Sequence, residues 1–331
     1  MKSRPWSEFR ALLSNRDELR CPTNQFIGGI VGGEQPSRYS ESPWLWNRLF
    51  TLLKLDAIFL AFDLDEVSLL GQASDRFFRV TGAFDLTVTN PFKTEILRQR
   101  DQIGKPTVVP DHVRRVGSAN HLYSRSAHEP LEFDNTDGIG IAAYLMSVRH
   151  LRDVRVVLIG AGGAGRSIGF ELVTICRELS IVDSQRQRAE QLVRDLSLST
   201  NAGADTRVIG VSELEADCQT ADLVISTAST GCPLSPMALR KSKDTTIFVD
   251  IRYGAEAALW RAATEAGCTS LDGRLMLFGQ FAKAARSVVP YLGPSSQHVE
   301  AAIDMIRREY YDLHLVREED SPGVGNLRKS R

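Results

Sequence analysis

Short apolar runs alternate with longer stretches of mixed apolar and charged residues along most of the chain. In the first half the runs are Phe26-Ile-Gly-Gly-Ile-Val31, Ala57-Ile-Phe-Leu-Ala-Phe62 and Phe84-Asp-Leu-Thr-Val-Thr89, each of strand length and bounded by turn residues. The spacing between them predicts helices around residues 44–53 and 66–80. Residues 1–25, with Phe9, Leu12 and Leu13 on one side, read as an extra amphipathic helix and a link that pad the first domain. In the second half, strands are expected at 154–159, 179–183, 207–211, 221–226 and 246–250 and near Ser270, with helices over 138–148, 166–173, 275–289 and 299–310. Such strand–helix–strand succession, occurring twice, predicts two open, largely parallel α/β sheets covered by helices. The first domain is expected to span 1–137, with helices of 276–317 returning to it, and the second 138–275. The tail 318–331, rich in charge, Gly and Ser, is expected to be disordered.

One segment gives the second domain a chemistry. Gly160, Ala161, Gly162, Gly163, Ala164 and Gly165 lie between a strand-like and a helix-like stretch. Gly160 allows a tight turn, Gly162 lets the backbone approach a pyrophosphate, and Gly165 permits close packing of helix on strand. The helix N-terminus adds N–H groups and partial positive charge. This is the pattern of a Rossmann dinucleotide-binding domain. The next strand ends in Asp183 about twenty residues on, where a carboxylate would bond the ribose hydroxyls and repel a 2′-phosphate. NAD is therefore preferred over NADP, although Arg186 and Arg188 just behind pull the other way.

Composition narrows the partners. With 331 residues, 43% hydrophobic and 24% charged, and a net charge of −1, the chain is globular material for two domains with no electrostatic footprint for nucleic acid or a membrane surface. A small molecule is the expected partner; a homodimer is compatible with the sequence. Cys21, Cys176, Cys218, Cys232 and Cys268 are scattered without C-x-x-C spacing and read as reduced thiols. The histidines form no pair at a helical metal-ligand spacing, so no metal is expected. No signal-peptide core or bilayer-length run is present, and a cytoplasmic location is expected.

Upstream of the glycine turn, Lys93 in Thr87-Val-Thr-Asn-Pro-Phe-Lys93 and Asp137 in Asn135-Thr-Asp-Gly138 stand out. Taken singly, each reads as a surface lysine and a turn or N-cap aspartate. Together with Ser40-Glu-Ser-Pro43, Gly117-Ser-Ala-Asn-His121, Asp250-Ile-Arg-Tyr253 and Asp272-Gly-Arg-Leu-Met-Leu-Phe-Gly-Gln280, in that order around the glycine turn, the chain resembles the shikimate and quinate dehydrogenase family from about Phe26 to Phe281. The resemblance implies a substrate-binding domain, a Rossmann domain and a cleft between them. It implies an NAD(P)-dependent alcohol dehydrogenase that interconverts a cyclic hydroxy acid and its 3-dehydro ketone. Ser40 and Ser42, with Tyr253 nearby, would hold the carboxylate, and Thr89, Asn120 and Gln280 the ring hydroxyls. Lys93 and Asp137 would flank the reacting hydroxyl, and Thr227, Ile251, Gly273, Met276 and Arg188 would join the glycine turn and Asp183 around the dinucleotide. A desolvated Lys can take the hydroxyl proton, while an adjacent carboxylate orients it and opposes the fall in its pKa. Either residue remains open as the formal base.

The chain departs from the family pattern at Thr87, at His121, at Ser226-Thr-Ala-Ser-Thr-Gly231, at Asp183-Ser184 and after Tyr253. His121 and Arg252 would add donors near the substrate, or else satisfy a backbone carbonyl and face solvent, respectively. A relative acting on an aminoshikimate or other analogue, and a non-catalytic dinucleotide-binding regulator, remain alternatives.

Overall fold

The computed structural model describes residues 3–126, 128–148, 153–198, 203–228 and 231–315. The expected tail, 318–331, and Ser229 and Thr230 of the 226–231 run lie outside the described residues. The chain divides into two compact units, one formed by the residues up to Thr136 with Phe281–Glu309, the other by Asp137–Gln280 and the chain from Tyr310. Asp137 thus opens the second unit, and residues 276–280 stay with it. The return to the first unit is shorter than the expected 276–317.

The first unit holds strands β1 (Phe26–Gly32), β2 (Ala57–Asp63), β3 (Ala83–Val88), β4 (Thr107–Val108), β5 (His121–Tyr123) and β6 (Leu131–Asp134) in one sheet, ordered β2-β1-β3-β5-β6-β4. β1 pairs parallel with β2 and β3, and β4 with β6, whereas β5 runs antiparallel to both its neighbours. The helix Ser3–Arg10 buries Trp6 and Phe9 in an aromatic cluster with Phe62 and Phe77, the Phe9 and Phe62 rings meeting edge to face at 4.9 Å. Elsewhere in the unit, Trp46 of the helix Ser42–Leu53 stacks on Phe59 at 5.1 Å and meets Phe281 edge-on. Arg48 of the same helix clamps Glu309 with two bonds of 2.8 and 2.7 Å.

The second unit carries β7 (Arg155–Ile159), β8 (Glu178–Val182), β9 (Asp205–Val208), β10 (Leu223–Ser226), β11 (Ile247–Asp250) and β12 (Thr269–Leu271), all parallel, ordered β12-β11-β10-β7-β8-β9. This is the doubly wound order, in which the winding reverses between β7 and β10, and ligands bind beyond the strand ends at that reversal. β7, β8 and β10 read as near-continuous apolar runs because helices cover both faces of a parallel sheet.

Candidate active site

Because β5 is reversed, its amino end shares an edge of the first sheet with the carboxyl ends of β1 and β3. Thr89 follows β3 and donates its N–H to the Val31 carbonyl at 2.9 Å. Asn120 precedes β5; its carbonyl accepts the Val88 N–H at 2.8 Å, and the Lys93 carbonyl accepts the Ala119 N–H at 2.8 Å. The Asn120 amide is oriented by Thr136, whose N–H it accepts at 2.8 Å and whose hydroxyl it donates to at 3.0 Å. Ser40 follows the short helix Pro36–Tyr39, and its hydroxyl accepts the Ser42 N–H at 3.3 Å. The first unit therefore gathers Ser40, Ser42, Thr89, Lys93 and Asn120 at one edge, the open end of a mixed sheet.

Tyr39 joins this group, and no motif pointed to it. Its phenol is hydrogen-bonded by the Thr89 hydroxyl. Burial raises its pKa, the Thr89 bond lowers it, and the charges of Glu34 and Asp63 raise it again, for a net rise. The phenol thus stays protonated across neutral pH.

His121 takes neither of its expected roles. Its Nε2 faces the Asp85 carboxylate across β3 and β5, both side chains buried, and its ring stacks on Tyr123 at 4.8 Å. In an antiparallel pair, opposed residues share a face, which places Asp85, Thr87, His121 and Tyr123 on one side of the sheet. Burial raises the Asp85 carboxyl, with the His121 charge and hydrogen bond opposing. On the neighbouring strand, burial acts to raise the Asp134 carboxyl but is outweighed by the His112 bond at 2.8 Å, the charge of His121 and the Asn135 N–H, and the net shift is downward.

In the second unit, Gly160 has φ +99°, and a Cβ there would lie 2.2 Å from the Thr227 hydroxyl. A Cβ on Gly165 would lie 2.1 Å from the Gly160 carbonyl, but one on Gly162 would meet nothing within 4 Å. The turn is closed where helix and strand pack and open where a pyrophosphate would approach the N-terminus of the helix Gly163–Leu172. These residues fit a dinucleotide. Asp183, just past β8, accepts the Ala161 N–H through Oδ2 and the Gln185 N–H through Oδ1, both at 2.8 Å. Thr227 donates its N–H and its hydroxyl to the Ile159 carbonyl. Ile251 follows β11, its carbonyl 1.9 Å from where a Gly273 Cβ would lie. Met276 is buried, and Arg188 is exposed on the helix Arg186–Ser197.

Asp137 and Gln280, 143 residues apart, meet directly, the Gln280 amide donating to Asp137 Oδ1. The helices Asp137–Val148 and Arg274–Val288 approach at Gly140 and Gly279, where a Gly279 Cβ would sit 2.4 Å from the Gly140 carbonyl. The absence of a side chain at Gly140 and Gly279 therefore lets these backbones touch. Tyr253 stands on this unit, with the Arg274 guanidinium 5.5 Å over its ring. Arg252 does not face solvent as expected; it is half-buried and pairs with the buried Asp250 at 3.5 Å.

Comparison with known proteins matches residues 142–253 to the family model described as shikimate / quinate 5-dehydrogenase. A shikimate dehydrogenase (NADP(+)) of Methanosarcina barkeri is 31% identical over 269 residues, covering 78% of this chain and 90% of the relative. Among solved structures, the shikimate dehydrogenase of Aquifex aeolicus superposes with a TM-score of 0.67 at 23% identity, covering 84% of this chain and 97% of its own. The shikimate 5-dehydrogenase of Listeria monocytogenes, solved with shikimate and NAD, gives 0.66 at 21%, covering 85% and 96%. Among the described residues, no group of three or more His, Cys, Asp or Glu side chains could hold a metal, and no helix is long and apolar enough to cross a membrane.

Proposed function

Since the chain belongs to the shikimate and quinate dehydrogenase family and is an alcohol-type oxidoreductase, we propose that it interconverts a cyclic hydroxy acid of the shikimate or quinate type and its 3-dehydro ketone. The observation that carries this reading is the gathering of Ser40, Ser42, Thr89, Lys93 and Asn120 at one sheet edge. Hydroxyl, amide and ammonium groups together are what a polyhydroxy carboxylate requires. Ser40 and Ser42 donate to the carboxylate, with Tyr253 assisting. Thr89, Asn120 and Gln280 bond the ring hydroxyls, Asn120 held in orientation by Thr136.

The dinucleotide, when bound, supplies the hydride acceptor or donor. The glycine turn from Gly160 to Gly165 would hold its pyrophosphate, with Thr227, Ile251, Gly273 and Met276 around it. The protein's own task is the proton, which must leave the substrate hydroxyl as the carbonyl forms. Lys93 and Asp137 share it, and the Gln280 amide keeps the Asp137 carboxylate in one orientation. Asp183 favours NAD, because its carboxylate is fixed at the rim of the glycine turn by the Ala161 N–H and opposes a 2′-phosphate. Arg188 is the group that would accommodate one.

The test is the change in nicotinamide absorbance with shikimate or quinate, run with NAD and with NADP. Turnover is expected, faster with NAD, and Asp183→Ala should raise NADP use about tenfold. Saturable dinucleotide binding with no turnover of either acid would overturn the reading of the site. Higher kcat/KM with NADP would overturn the cofactor assignment alone.

A further inference from the structure

We propose that Ser167 is a positioning residue for Asp137, and that it ties the backbone of this acid–base group to the helix that receives the dinucleotide. The inference rests on the role given to Asp137 above. Ser167 lies in the helix Gly163–Leu172, one turn beyond Gly163, and is 4% exposed. Its hydroxyl oxygen accepts the Gly138 N–H at 2.8 Å. Gly138 immediately follows Asp137 in the first turn of the helix Asp137–Val148, where N–H groups have no acceptor within their own helix. The two helices meet closely here, since a Cβ on Gly138 would lie 2.4 Å from the Ser167 carbonyl. A side chain of the dinucleotide helix therefore supplies the acceptor for the peptide that joins Asp137 to Gly138.

Asp137 is thereby held at two points. The Gln280 amide fixes its carboxylate, and Ser167 fixes the main chain behind it. Gln280 sets the rotation of the side chain. Ser167 sets how far the Asp137 backbone lies from the N-terminus of the helix Gly163–Leu172, where the pyrophosphate would bind. Over a single turn a helix moves as a rigid element, so fixing the dinucleotide at Gly163 fixes Ser167 and, through it, Asp137. Proton transfer requires donor and acceptor within about 2.6–3.2 Å, and a misplacement of about 1 Å can cost on the order of 10²-fold in rate. One buried oxygen at position 167 therefore has leverage on turnover without itself meeting the substrate. Alanine there keeps a good helix former in place and removes the acceptor.

Ser167→Ala is expected to lower kcat with shikimate or quinate about tenfold, while KM for the acid and the dinucleotide dissociation constant, read by fluorescence, each stay within about twofold. A role in packing alone would slow turnover equally whether or not Asp137 is present. The same substitution is therefore made in Asp137→Asn protein, which is slowed by the ~10²- to 10⁴-fold of an acid–base group and is assayed at high enzyme concentration. There it should cost less than about twofold, because no carboxylate remains for Ser167 to position. An equal loss in both backgrounds, a Ser167→Ala kcat within about threefold of wild type, or a parallel weakening of dinucleotide binding overturns the proposal while leaving the dehydrogenase reading intact. A wild-type protein that turns over neither acid sinks both.

Discussion

Replacing His121 by Leu removes the imidazole that faces Asp85 in the interior of the first unit. Side-chain exposures of 1% and 0% leave no route for water to take its place. Burial already raises the Asp85 carboxyl, and His121 is what opposes that rise. Without the imidazole, burial acts on the carboxyl unopposed and its folded-state value rises further. Each pH unit by which the folded-state value climbs further above its ordinary range costs ~1.4 kcal/mol at neutral pH. The sign follows from the raised folded-state value: the group's contribution is intact below about pH 4 and is lost as pH rises through the folded pKa. At roughly 2–4 °C per kcal/mol for a domain of this size, scanning calorimetry should show the variant melting a few degrees lower at pH 7, with a smaller difference at pH 5. Adding Asp85→Leu removes the carboxyl itself and should recover much of the loss at pH 7, since replacing both members of a buried pair costs less than removing one. Equal losses at the two pH values, or a double variant no more stable than the single one, would refute the reasoning.

Lys93→Ala should slow turnover by about 10²- to 10⁴-fold, as expected for an acid–base group, with the dinucleotide dissociation constant unchanged; parallel loss of both would point to misfolding instead. Gly162→Val should leave the melting temperature within a few degrees, because a Cβ there meets no atom of the protein, yet it should weaken dinucleotide binding at least about tenfold by blocking the backbone's approach to the pyrophosphate; a titration with unchanged affinity would remove the turn from the cofactor site. Burial pushes Cys176 and Cys218 up to about 12, so neither thiol should be labelled by a thiolate-directed reagent at pH 8 in the folded protein. Mass spectrometry of the labelled chain decides it. The same shift stabilises the fold below about pH 8.5 and ceases to do so as pH rises through the folded value.

Much of the second unit was legible because its strands are covered on both faces. Val156–Ile159 and Leu223–Ile225 are uninterrupted apolar runs, and the glycine turn adds steric demands that the structure realises at Gly160 and Gly165. The helix Arg186–Ser197 was missed, although Ala189, Leu192 and Leu196 form a buried stripe at helical spacing; strongly charged neighbours hide three apolar positions. In the first unit, the reversal of β5 left no local signature. His121 and Tyr123 face Asp85 and Glu132 rather than a hydrophobic layer, and a three-residue strand is too short to show alternation. The Asp137–Gln280 bond was accessible only through resemblance, since no periodicity links residues so far apart. Tyr39 was hidden for a different reason: its place beside the site depends on a tertiary contact with Thr89 and not on its neighbours in the chain.

The bond from the Ala119 N–H to the Lys93 carbonyl closes the neck of an excursion that runs from β3 through the edge strand β4 to β5. Both ends of that excursion lie at the same edge because β5 is reversed, so Lys93 and Asn120 are held by the neck and not by the path between them. Insertions or deletions confined to the exposed turns of residues 94–118, outside β4 and the core residues Ile103, Val109 and Val113, would alter the rim of this unit while sparing the spacing of the two side chains. A lineage carrying such a neck is free to remodel its periphery at little chemical risk. A sheet with every strand parallel would return the chain at the opposite edge and tie loop length to site geometry.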